Sequence, residues 1–133
     1  MADVLSVRQK KRMHLPPDNN SYKIECLPQA LYIQLWGQLS RLSDEDALLA
    51  DLESYCKEGI SNWILDLAEV SFIDSKGLGL LLTLLAKARQ CGGDLILLQL
   101  GEQVEKLLVI TKLRAIFNIK RDVAGALEEF SVQ

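Results

Sequence analysis

A chain of 133 residues is the size of one domain built around one core. With 49% hydrophobic and 25% charged residues it has the composition of a soluble globular protein, and its net charge of -3 gives no general attraction to nucleic acid. No apolar run reaches the roughly 18 residues that span a bilayer, and the start, "MADVLSVRQKKRMHL", lacks the apolar stretch of a secretory signal. A cytoplasmic protein without a membrane span is expected.

Two residue types limit the chemistry. His14 is the only histidine, and it falls in an N-terminal tail. A Ser-His-Asp or Cys-His site needs an imidazole on a rigid scaffold, and a zinc site with two or three histidines is impossible here. The three cysteines, Cys26, Cys56 and Cys91, are widely spaced, with no CxxC pair. They read as small buried or half-buried thiols. Neither a metal nor a cofactor is called for.

Residues 1–20 read as a flexible tail. It carries Arg8, Lys10, Lys11 and Arg12 and ends in the breaker "PPDNN". The folded domain is expected over residues 21–133. "YKIECL" alternates as a half-buried strand, and "ALYIQLWGQL" makes a second, with Leu31, Ile33 and Leu35 on one face. Pro28 between them suits a hairpin, and Gly37 marks a bulge or a close backbone approach. "LSDEDALLADLESYCKEG" predicts a helix capped by Ser43. Leu48, Leu49, Leu52 and Tyr55 fall at helical spacing, and Gly59 ends it.

"NWILDL" has the continuous apolar run of a central strand. "AEVSFID" then reads as a loop leading to a helix that Gly92 and Gly93 close. "DLILLQL" is another buried strand and "GEQVEKLLVITKL" another helix, with Val104, Leu107, Leu108 and Thr111 along one side. "IFNI" is a short strand, and "DVAGALEEF" a final helix weakened by Gly125. The order β-β-α-β-α-β-α-β-α implies an α/β domain with a mixed, mostly parallel sheet.

Sites in such folds gather at the carboxyl ends of strands. "VSFIDSKGLGLLL" stands at such an end, with Asp74 or Ser75 as helix cap. Gly77 and Gly79 each cost about 1 kcal/mol against alanine inside a helix, which suggests that something approaches the backbone there. Leu78, Leu81, Leu82 and Leu85 fit one helical face, while Leu80, Thr83 and Leu84 fall elsewhere. The additional leucines imply burial by flanking helices or by a partner.

Ser75 admits three readings. A nucleophile would need a base, and only the adjacent Lys76 is at hand. A phosphate-binding loop would need a GxxxxGK[ST] motif, which is absent, and Asp74 would repel the anion. A phosphate acceptor needs only an accessible hydroxyl at a helix start, where about -1.5 to -2 of new charge would act on anything docked beside it.

"LDLAEVSFIDSKGLGLLL" resembles the core motif of STAS domains, especially bacterial anti-sigma-factor antagonists. The resemblance extends from about Tyr22 through "GQLS", "GGDLILLQL" and "VEKLLVITKLRAIFNI". It implies a single STAS-like domain that binds a serine-kinase anti-sigma factor and is not itself an enzyme. It further implies phosphorylation on Ser75 by that kinase and resetting by a protein phosphatase. The implied interface comprises Gly37, Ser40, Asp74, Ser75, Lys76, Gly77, Leu78, Gly79 and Leu80, with no direct contact to nucleic acid. Two positions depart from the family pattern: Lys76 stands where many members have serine or threonine, and Ser40 where aspartate is common. The family also includes subunits of stressosomes and lipid-transport complexes, so a scaffold that does not switch is the alternative.

Overall fold

The computed structural model describes residues 22–38 and 45–132. The predicted tail, His14, Ser40 and the Ser43 cap lie outside them. Five strands form one sheet in the spatial order of the chain: β1 (Tyr22–Cys26), β2 (Leu31–Gln38), β3 (Trp63–Phe72), β4 (Leu95–Leu98) and β5 (Asn118–Lys120). β1 and β2 pair antiparallel, and every later pair is parallel. The connections carry helices α1 (Glu45–Lys57), α2 (Ser75–Gln90), α3 (Glu102–Ile110) and, after β5, α4 (Val123–Val132). A 3-10 turn, Arg114–Ile116, leads into β5. The expected α/β class and element order therefore hold.

Strand alternation sorts the side chains onto two faces. Leu31, Ile33, Leu35, Trp63, Leu65, Leu67, Leu95 and Leu97 point into the larger core, where α1, α2 and α3 supply Leu48, Leu52, Leu81, Leu84, Val104 and Leu108. Tyr32, Ile64, Ile96 and Leu98 form the opposite face, on which α4 lays Ala126 and Phe130. The last helix thus anchors a second core, although its interior Gly125 marks it as weak in isolation. Burial of its apolar stripe overrides propensity.

One expectation needs correcting. "AEVSF" is strand, because β3 continues to Phe72 beside β2. The pairing shifts register between Gln34 and Trp36 and again between Gly37 and Gln38. At the first shift the Asp66 carboxylate accepts from the Ala68 amide at 2.9 Å and from the Tyr32 hydroxyl. Ala68 and Glu69 are both exposed, so strict alternation breaks there, as at a bulge. The broken period makes this half of β3 look like a loop in sequence. Gly37 has φ +85° at the second shift, in keeping with its predicted bulge.

The cysteines differ from expectation too. Cys56 and Cys91 are joined by a disulfide, with Cα atoms 5.9 Å apart, and Cys26 is a free, exposed thiol. The bridge spans 35 residues, a loop for which chain entropy predicts about 4 kcal/mol of stabilisation. It ties the last turn of α1 to the C-cap of α2. One turn earlier, Lys87 Nζ lies 2.8 Å from Glu53 Oε1 across the same two helices.

The Lys87 hydrogen bond, then its charge, hold the Glu53 carboxyl below its ordinary range. A depressed carboxylate contributes stability above its unfolded pKa and loses it as pH falls through the folded value. Lys87→Met should therefore lower the melting temperature slightly at neutral pH. Thermal melts in increasingly acidic buffer should show that gap closing.

Candidate functional site

The site lies where parallel strands β2 and β3 end. Gly37 pairs with Val70 and Gln38 with Phe72, and the chain then passes through Ile73 and Asp74 into α2. Asp74 has extended backbone, φ -128° and ψ -165°, and its Oδ1 accepts from the amides of Lys76 and Gly77, each at 3.1 Å. Two otherwise orphaned donors of the first turn are thereby satisfied. Asp74 is the cap, so the hydroxyl of Ser75, the first helical residue, is not spent on capping and is exposed.

The turn is held from outside by a residue that sequence reading missed. Gln103, near the start of α3, accepts from the Ile73 amide at 3.2 Å through Oε1 and donates to the Ile73 carbonyl at 3.0 Å through Nε2. A side-chain amide here substitutes for a neighbouring strand just where β3 runs out of pairing. A pair formed by residues 30 apart leaves no local signal in the sequence.

The other predicted site residues divide between the surface and the core. Lys76 and Gly79 are exposed, and Gly37 is half-buried. Gly77 is buried, and so are Leu78 at 7% exposure and Leu80 at 3%. The leucines of α2 therefore do not make an apolar outer surface. Leu78, Leu80, Leu81, Leu84 and Leu85 all enter the core, because α2 is packed by the sheet beneath and by flanking helices. Beyond Lys76 the next exposed residues are small, Gly79, Thr83 and Ala86, before Arg89 and Gln90 at the far end. Thr83 turns its hydroxyl back to donate to the Gly79 carbonyl at 2.9 Å.

The exposed large apolar side chain at this end is instead Phe72, 41% exposed. Alternation alone would set Phe72 on the side of Val70 and Ile73 on the other, whereas the structure buries Val70 and Ile73 and leaves Phe72 out.

Gly79 is informative because the fold does not need it. A Cβ built there meets nothing within 4 Å, and the residue is helical without a positive φ. Packing among the described residues thus gives no reason for a residue that costs about 1 kcal/mol against alanine.

Chemically, the turn presents one exposed hydroxyl, one carboxylate already committed to the cap, and one exposed ammonium. Among the described residues no group of three or more His, Cys, Asp or Glu side chains could hold a metal ion, and no helix is long and apolar enough to cross a membrane.

Comparison with known proteins agrees with this architecture. The STAS domain family description matches residues 22–126. A protein of Thermotoga neapolitana, provisionally named an anti-sigma factor antagonist, is 34% identical over 77 residues, which are 58% of this chain and 68% of that one. The anti-sigma factor antagonist SpoIIAA in its unphosphorylated form superposes with a TM-score of 0.69 at 20% identity, covering 85% of this chain and 98% of that one. The phosphorylated form of the Bacillus cell fate determinant SpoIIAA gives 0.63 at 21% identity, covering 82% and 98%. With a family match over most of its length, a mixed five-stranded sheet in the same arrangement, and an Asp-Ser turn heading its second helix, this chain belongs to the STAS domain family.

Proposed function

We propose that the protein is an anti-sigma-factor antagonist. It binds a serine-kinase anti-sigma factor, and phosphorylation of Ser75 by that kinase ends the complex. The observation that carries this reading is the exposed Ser75 hydroxyl at a helix start whose capping is done by Asp74. Relatives named as anti-sigma factor antagonists, and a structural neighbour described in both unphosphorylated and phosphorylated forms, support it. The kinase transfers the γ-phosphoryl group of ATP to Ser75 Oγ, the hydroxyl proton leaves, and ADP is released. A phosphatase reverses the modification by hydrolysis. The protein is the substrate in both steps and catalyses neither, and it acts in the cytoplasm, where transcription is controlled.

The docking face runs from Phe72 across Ser75 and Lys76 to Gly79 and Thr83. Phe72 supplies apolar contact, and Gly79 lets a partner come close to the helix backbone. Gly79→Ala separates folding from binding. It should raise stability by up to about 1 kcal/mol, since the Cβ meets open space. It should also weaken binding to the cognate anti-sigma factor several-fold in a calorimetric titration. Undiminished affinity would remove Gly79 from the interface. The decisive experiment is phosphorylation by the kinase, read by intact mass on the wild type and on Ser75→Ala.

A further inference from the structure

α1 has a thin hold on the domain. Of its 13 residues only Leu48 and Leu52 are buried, whereas α2 buries seven of 16. In its C-terminal half Asp51 accepts from the Tyr22 hydroxyl of β1 at 2.6 Å, and two links go to α2: the Glu53–Lys87 pair and the Cys56–Cys91 disulfide. Ion pairs as exposed as this one contribute little, because water screens them and ordering two long side chains costs entropy. The disulfide is the covalent tether between α1 and α2.

That tether is open to chemistry. Cys56 and Cys91 are half-buried at helix ends, within reach of a small thiol. Cys26 remains a free thiol in the same molecule, lying against the hydroxyl of Tyr55, the neighbour of Cys56 in sequence. An accessible disulfide in a reducing compartment is more often a sensor than a permanent staple. This last step, and only this step, rests on the reading of the protein as an intracellular regulator of transcription.

We propose that Cys56 and Cys91 form a reversible redox site, and that opening it loosens the C-terminal half of α1 from α2. The reductant is a dithiol. One of its thiolates attacks a cysteine sulfur, and the S–S bond breaks to release the other cysteine as thiolate. The second reductant thiolate then attacks the mixed disulfide, closes the reductant's own ring and frees the first cysteine. Two electrons pass to the protein, and the two protons of the reductant end on Cys56 and Cys91. A low-molecular-weight disulfide such as oxidised glutathione runs the exchange backwards.

The test uses the full chain under native conditions. It is equilibrated with oxidised glutathione or with dithiothreitol, quenched with iodoacetamide in denaturant and weighed. With glutathione disulfide, Cys56 and Cys91 are expected to stay unalkylated and joined, Cys26 being either alkylated or glutathionylated, and with dithiothreitol all three are expected to be alkylated. Hydrogen–deuterium exchange in the same two states should rise several-fold in the last turns of α1 on reduction and stay constant in β3 and β4. Cys56→Ser and Cys91→Ser should each show the fast α1 exchange in both states. Three alkylated cysteines with glutathione disulfide, or a bridge that opens only in denaturant, overturns the redox site. Unchanged α1 exchange after the bridge opens overturns the clamp. No readout involves Ser75 or an anti-sigma factor, so failure here is distinguishable from failure of the phosphorylation assay.

Discussion

Ser75→Ala should abolish the phosphoryl mass gain on incubation with the cognate serine kinase and ATP, and Ser75→Asp should weaken binding to that kinase several-fold, or about 1 kcal/mol. Both outcomes follow from the geometry of one turn. The Asp74 carboxylate already occupies the first-turn amides of Lys76 and Gly77, so an anion on residue 75 does not find those donors free. It stands exposed next to a second negative charge. Lys76 adds one positive charge, which does not neutralise a phosphate of about -1.5 to -2 together with Asp74. Phosphorylation should weaken the complex more than Ser75→Asp does, because the aspartate carries about half the phosphate's charge and fewer acceptor oxygens. A mass gain that persists in Ser75→Ala would place the acceptor elsewhere. An affinity equal to wild type in Ser75→Asp would remove charge as the means of release.

Gly93→Ala should destabilise the fold by about 3 kcal/mol or more, a large share of the roughly 5–15 kcal/mol that holds a domain together. A Cβ on residue 93 would lie 1.9 Å from the Ser61 carbonyl oxygen and 2.3 Å from its carbon. Both atoms belong to the backbone, so no side chain can swing aside. Gly93 is itself tied by its amide to the Ala88 carbonyl at 2.9 Å, and Trp63 donates to the Asp94 carbonyl at 2.9 Å. Moving either strand start would break the entry to the β3–β4 ladder, above a fully buried Trp63. Gly92→Ala serves as the comparison. Its φ of +95° strains any other residue, but its Cβ meets open space. It should cost only about 1 kcal/mol. Urea midpoints, all measured with the disulfide intact, would order the three proteins. Equal midpoints for Gly93→Ala and wild type would contradict the tight contact.

The helix starts and stops were legible because their causes are local. Gly59 and Gly92 adopt the positive φ that ends α1 and α2, as their positions after apolar-periodic segments suggested. Asp74 and Ser75 were both candidate caps on residue type alone. Only the fold assigned the cap to Asp74, since the choice depends on where β3 stops. The α2 leucines show the opposite limit. Their spread around the helix correctly signalled burial on more than one side, but spacing does not say whether a flanking helix or a separate protein does the burying. Here the domain itself covers them, and the large apolar side chain left exposed at that end is Phe72.

By itself the sequence determined the order of the elements, the mixed sheet, and the single turn where an acid, a hydroxyl and two glycines meet at a strand end. Those features rest on periodicity and backbone preference, which act over a few neighbouring residues. The tertiary structure alone decided the length of β3, the inward course of Leu78 and Leu80, the Gln103 bracket on Ile73 and the joining of Cys56 to Cys91. Each of these depends on which distant segments are brought within a few ångströms. That proximity follows from closing two cores around one sheet, and no local pattern in the chain carries it.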